Sequence, residues 1–322
     1  MSDPDRDRHI FGPVPSRRLG RSLGIDLVPH KVCTLDCLYC ECGATTTRTG
    51  TRRPWVDTTR VLEELEAWLH TGQTADHLTF SGAGEPTLHS DLGRIASWLA
   101  ERSEIPLALL TNATLLGDPG LRRELAPFSV IVPSLDACTQ AVFERLNRPL
   151  PGLTVAGLID GIVALREDYQ GELWLEVLLV DGVNDSPEEL AGLARAARRI
   201  APDRIQLNTA VRPGTDPDVA SASAATLQRA LELFGPRAEA VAAFPERPVR
   251  CSDRVGADSA DLAEAVLAVV RRRPETIAAL SVSLGVARST LERLVTELTA
   301  QGRLRAEDRG GHRYLIATVR EA

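Results

Sequence analysis

Cys33-Thr-Leu-Asp-Cys37-Leu-Tyr-Cys40 places three cysteines at C-x₃-C-x₂-C spacing early in a chain of 322 residues. Thiolates are soft ligands suited to zinc or to iron–sulfur clusters. A cubane cluster usually takes four cysteines, so three leave one iron free for a substrate or a second cofactor. A structural zinc knuckle is the competing reading, with Cys42 or His30 as fourth ligand. A disulfide fits less well, because nothing in the chain points to an oxidising compartment.

Working outward, Gly24-Ile-Asp-Leu-Val28, closed by Pro29, reads as a first strand that feeds directly into the cysteine loop. Residues 41–56 are rich in Thr, Gly and Arg, and read as a flexible surface loop able to cover a mouth. Helical spacing of Val61, Leu62, Leu65 and Leu69 follows, and then a strand, His77-Leu-Thr-Phe-Ser81. Further strands are expected at 106–112, 129–136, 172–180 and 204–208, with a short seventh at 239–244. Amphipathic helices lie between them, including 187–200. Near-continuous apolar strands alternating with helices predict a parallel sheet covered on both faces. Six such units predict an α/β fold, an open (β/α)₆ partial TIM-like barrel over residues 10–245.

Residues 1–9 read as a disordered tail and 246–258 as a linker. Beyond the linker the character changes. Leu262, Val266, Leu267 and Val270 at helical spacing, and helical patterns near 274–284 and 288–300, precede a hairpin at 304–316 with a Gly310-Gly311 turn, which predicts a winged helix-turn-helix over 259–322. Ten Arg face eight Asp or Glu across residues 260–322, a balance too even for a confident DNA reader. The net charge of −7 gives no global polyanion signal. The polar start and the lack of any long apolar run predict a chain that neither enters nor spans a membrane, at home in a reducing cytoplasm.

Cys33-x₃-Cys37-x-Tyr39-Cys40 resembles the cluster motif of the radical S-adenosylmethionine (SAM) superfamily, including the aromatic residue before the third cysteine. Phe11-Gly-Pro-Val-Pro-Ser-Arg-Arg-Leu-Gly20 and Ser22-Leu-Gly-Ile-Asp-Leu-Val-Pro29 resemble a stand-alone subfamily grouped with wyosine-type tRNA-base synthetases. The resemblance implies a 4Fe–4S cluster on Cys33, Cys37 and Cys40, with SAM chelated at the remaining iron. It implies reductive cleavage of SAM to a 5′-deoxyadenosyl radical that removes hydrogen from a substrate. It also implies a flavodoxin- or ferredoxin-like one-electron reductant.

Gly82-Ala-Gly84-Glu85-Pro86 resembles the family's GGEP motif, with backbone carbonyls and the Glu85 carboxylate expected at the methionine ammonium. Thr111, Asn112, Ser134 and Asp136 fall at strand ends, where parallel barrels bind ligands, and by resemblance hold the methionine carboxylate or ribose hydroxyls. Glu176 shares a strand face with Trp174 and Leu178, and there reads either as a ribose or substrate contact or as the partner of an arginine. Asn208 and Val211 match the region that meets adenine. Tyr39 either packs beside adenine or shields the cluster. Arg17, Arg18 and Arg212 flank the barrel's edges, where they either meet an anionic substrate or stay solvated. Cys138 and Cys251 read as ordinary thiols.

Three function classes follow. The first is a radical SAM enzyme acting on a macromolecule (RNA or protein) or a small metabolite. The second is an activating or peptide-modifying enzyme with the winged helix as recognition module. The third is a cluster-containing transcriptional sensor.

Overall fold

Ile10-Phe-Gly-Pro-Val-Pro-Ser16 (β1) lies antiparallel to Gly20–Ile25 (β2), with the register shifting between Phe11 and Val14. Gly12, Pro13 and Pro15 hide this strand from a pattern reading, which took the first strand to start at Gly24. Proline cannot donate to a ladder and is therefore confined to sheet edges, which is where β1 sits. The computed structural model describes residues 8–16, 18–241, 259–309 and 311–318. Residues 1–7 of the expected tail over 1–9, the linker, Arg17 and Cys251 lie outside them, whereas His9 is held, its N donating to Glu64 Oε2 at 2.9 Å.

After β2 come two short strands, Val32–Cys33 (β3) and Thr47–Arg48 (β4), and the helix Thr58–His70 (α1). The repeating units follow: His77–Phe80 (β5), Leu92–Ala100 (α2), Leu107–Thr111 (β6), Pro119–Glu124 (α3), Val130–Pro133 (β7), Gln140–Asn147 (α4) and Val155–Asp168 (α5). Glu172–Leu179 (β8), Pro187–Ile200 (α6), Arg204–Thr209 (β9), Ala224–Phe234 (α7) and Ala238–Ala240 (β10) complete the series. The sheet order is β1-β2-β5-β6-β7-β8-β9-β10, parallel throughout from β2 onward. The result is a mixed α/β fold around one parallel-dominated sheet. All six expected strands form, and the seventh forms as β10.

Alternation along the strands gives the two faces different chemistry. Leu23, Leu78, Leu109, Ile131, Leu175 and Leu207 belong to the large core shared with the helices. The opposite face carries Ala108, Val130, Val132 and Trp174 with Leu19 in a smaller apolar cluster. Ser22, Thr79, Glu176, Gln206 and Asn208 alternate with the core residues on the same strands, and Ser22 and Thr79 pair their hydroxyls at 2.6 Å. A polar face on an otherwise apolar sheet is expensive unless partnered. Because the strands run parallel, their C-terminal ends collect this chemistry on one edge.

Ser259–Val270 (α8), Ile277–Leu284 (α9), Arg288–Ala300 (α10) and the hairpin Leu304–Arg309 (β11) and His312–Ala317 (β12) form a second core with Val14 of β1. Gly285, at φ +64°, ends α9 in the left-handed conformation that a glycine adopts without strain. The second helix starts later than expected. Glu275 instead bridges to Leu315 of the hairpin, and the Thr276 hydroxyl caps α9 by accepting from Ala279 N.

Candidate cluster and cofactor site

The cysteine loop leaves β2 beyond Asp26 and is fixed from several sides. Thr49 N donates to Cys33 O at 2.9 Å, and β3 and β4 pair Cys33 with Arg48. Thr45 donates from its backbone N to Asp36 Oδ1 (2.8 Å) and from its hydroxyl to Leu35 O (2.7 Å). The 41–56 segment, expected as a flexible cover, is therefore laced along the cysteine loop. On the other side, Asp36 N donates to Asn147 O and Leu38 N to Leu146 O, tying the loop to the end of α4.

The thiols sit among N–H donors. Cys33 Sγ accepts from Leu35 N (3.5 Å) and from Asn112 Nδ2 (3.4 Å), and Cys37 Sγ accepts from Asn147 Nδ2 (3.4 Å). Burial pushes the Cys33 thiol up to about 11 and raises Cys37 as well. Cys40 is pulled down to about 5, first by a hydrogen bond from Cys42 and then, against burial, by the Lys31 ammonium. The Cys42 thiol also lies 2.9 Å from Arg272 O, so it serves Cys40 and its surroundings as a donor. Among the described residues, no three His, Cys, Asp or Glu side chains converge closely enough to hold a single metal ion.

Behind the loop, Gly82 and Gly84 allow the next strand-end turn to pass against it. A Cβ on Gly82, at φ +149°, would lie 2.3 Å from Asp26 Cγ, and one on Gly84 2.0 Å from Val32 O. Gly84→Ala is therefore expected to lower stability by about 1–3 kcal/mol, because the clash is with backbone. A thermal melt indistinguishable from wild type would show that the turn can shift freely.

Glu85, expected to present its carboxylate to a ligand ammonium, instead has both oxygens engaged. Oε1 accepts from Thr87 N, the Thr87 hydroxyl and the Thr111 hydroxyl, and Oε2 from Asn112 N at 2.8 Å. It staples the turn to the end of β6, leaving the turn's backbone carbonyls as the groups a ligand would meet. Asn112 is equally committed: its Nδ2 donates to Cys33 Sγ and to Thr34 Oγ1 (2.8 Å), and its Oδ1 accepts from Thr114.

Tyr39, Asn112, Ser134 and Asp136 line one pocket together with Asn147. The Tyr39 hydroxyl donates to Asp136 Oδ2, which also accepts from Asn147 Nδ2 at 3.3 Å, while Leu178 N donates to Oδ1 at 2.8 Å. Burial raises the Asp136 carboxyl to about 6. The pattern carried no signal for Asn147, which sits in the last turn of a helix. Glu176 pairs with Arg18 Nη1 at 2.6 Å and accepts from Asn208 Nδ2 (3.2 Å) and Ser134 Oγ (3.5 Å). Of the two readings of Glu176, the arginine pair forms, and it joins Arg18, Ser134 and Asn208 on the sheet's polar face.

Arg212 corrects an expectation. It was read as a solvated or substrate-facing edge residue, yet its side chain is 2% exposed and lies 3.1 Å from Glu41 and 3.0 Å from Glu275. Arg273 joins the same Glu275 at 2.9 Å. Arg212 thus clamps the cysteine loop to the C-terminal helices. Nearby, Arg272 reaches Asp26 at 3.2 Å and covers the Phe11 ring. Gly214 lies flush on the loop, its Cβ position 2.8 Å from Tyr39 C. Cys138 stands apart against Glu189 as an ordinary thiol, raised to about 12 by burial.

The radical SAM superfamily profile matches residues 27–194, from the end of β2 into α6. The chain belongs to the radical SAM superfamily. It is 30% identical over 303 residues to a protein named GTPase Obg from Brachyspira hyodysenteriae, covering 94% of this chain and 44% of that one. It is 30% identical over 226 residues to a UPF0026 protein of Methanocaldococcus jannaschii, 70% of each chain. In fold it is similar to a radical SAM methyltransferase from Sphaerobacter thermophilus (TM-score 0.51, 19% identity), over 68% of this chain and 65% of that one.

Radical SAM proteins bind a 4Fe–4S cluster and SAM. The residues present fit that requirement. Cys33 and Cys37 receive N–H donors, as anionic cluster ligands need, and the strand-end turn beside them presents carbonyls.

Proposed function

We propose that this chain is a radical SAM enzyme in which Cys33, Cys37 and Cys40 hold a 4Fe–4S cluster and the adjoining strand ends hold SAM. Asn112 carries the reading. Its side chain holds Cys33 while its backbone N–H holds Glu85, so cluster loop and GGEP-like turn are built as one unit. When bound, the two groups supply one-electron cleavage of the sulfonium and hydrogen-atom abstraction from a substrate.

The protein's own work is placement. Carbonyls of residues 82–84 meet the methionine ammonium, with Glu85 and Thr111 fixing the turn. Tyr39 and Asp136 border the nucleoside, oriented by Asn147. Ser134, Glu176 and Asn208, with Arg18, line the neighbouring wall toward ribose or substrate. The sheet forms an open partial barrel, and the described part of residues 259–318 forms a winged helix-turn-helix that serves as a recognition module. Its docking on β1 and, through Glu275, on Arg212 favours a built-in part of the enzyme over a free DNA reader of a transcriptional sensor. A one-electron carrier of flavodoxin or ferredoxin type supplies the reductant in the cytoplasm. The substrate class favoured by the wyosine-type likeness is RNA, with a peptide as the other macromolecular class.

Anaerobic reconstitution followed by incubation with reductant, SAM and deuterated tRNA, protein or small-molecule fractions tests this. Deuterium in 5′-deoxyadenosine is expected from one fraction, RNA first. No methionine or 5′-deoxyadenosine with any fraction would contradict enzyme activity of this type.

A further inference from the structure

Two of the three cysteines have an amide side-chain donor, and the two donors come from separate parts of the chain. Asn112, beyond β6, donates to Cys33 Sγ at 3.4 Å, and Asn147, in α4, donates to Cys37 Sγ at 3.4 Å. We propose that Asn112 and Asn147 act as a pair of positioning residues, one on each of two thiolates, that raises the reduction potential of the cluster. The inference rests on the cluster assignment above and goes beyond it.

The physical reason is a difference between two charge states. Adding an electron makes the thiolates more negative, so every N–H donor and positive charge beside them binds the reduced state more strongly. Glu85 is the opposing charge on Cys33, and its oxygens are already occupied by Thr87, Thr111 and Asn112. Asn147 divides its amide between Cys37 and Asp136, so the same residue couples cluster ligand and cofactor pocket.

The test is an anaerobic potentiometric titration followed by electron paramagnetic resonance, on protein reconstituted to full iron and sulfide. Asn147→Leu and Asn112→Ala are each expected to shift the reduced-to-oxidised ratio at fixed potential about threefold toward oxidised, about 30 mV for one electron. Should Asn112→Ala take up less iron, Asn112→Val carries the same comparison. Unchanged potentials in fully loaded Asn112 and Asn147 variants would overturn the inference and leave these residues as props of the loop. A wild-type chain that takes up no four-iron cluster would instead overturn the assignment beneath it.

Discussion

Cys37→Ala is expected to give a folded protein that neither retains four irons nor cleaves SAM. Two thiolates remain in that variant, and a cubane needs at least three from the protein when a cofactor takes the fourth iron. The fold should survive, because Cys37 only borders the main core and the loop's backbone bonds from Asp36 and Leu38 to α4 stay in place. Cys42→Ala is the matched control. Cys42 acts as a donor to Cys40 and to backbone carbonyls, so iron should be retained. Iron and sulfide content, with methionine and 5′-deoxyadenosine as products, reads both variants. Full iron in Cys37→Ala, or its loss only in Cys42→Ala, would reassign the ligands.

Arg212→Ala carries the largest expected loss of stability, about 3–5 kcal/mol. Arg212 sits between two carboxylates, and its removal takes a cation from Glu41 and leaves Glu275, at 2% exposure, with one cation fewer. A buried carboxylate that loses part of its compensation is what makes breaking such a cluster costly. Arg212→Met combined with Glu275→Leu removes charge from both sides and should recover part of the loss. Because Glu41 neighbours Cys40, iron retention should fall with the single variant as well. Denaturant unfolding with the midpoint and slope both recorded measures this. A loss under about 1 kcal/mol would mean that the clamp is dispensable.

Much of the fold was legible because it depends on short-range pattern. Apolar runs such as Val130–Pro133 and the periodic helix Pro187–Ile200 declare themselves without knowledge of their neighbours. The first strand did not, since Pro13 and Pro15 give an edge strand the look of a loop. The cysteine motif and the Gly-rich turn were legible as local chemistry, and Gly84 needs to be glycine for a reason no local pattern contains: the Val32 carbonyl lies against it. Partnerships across the chain were harder. Arg212 lies just beyond β9, but its partner Glu275 lies 63 residues on, so nothing near Arg212 announces a buried pair. Glu85 shows the same limit, as its carboxylate is consumed by Thr111 and Asn112 from the next strand.

The central claim, that Cys33, Cys37 and Cys40 would hold a 4Fe–4S cluster and the adjoining strand ends SAM, is tested most directly by one experiment. The anaerobically reconstituted and reduced wild-type chain should show the electron paramagnetic resonance of a reduced 4Fe–4S cluster. Adding SAM labelled with ¹⁵N at its amino group should change that signal and introduce a nitrogen hyperfine coupling. A spectrum indifferent to SAM, or a protein that takes up zinc in place of iron, would contradict the account.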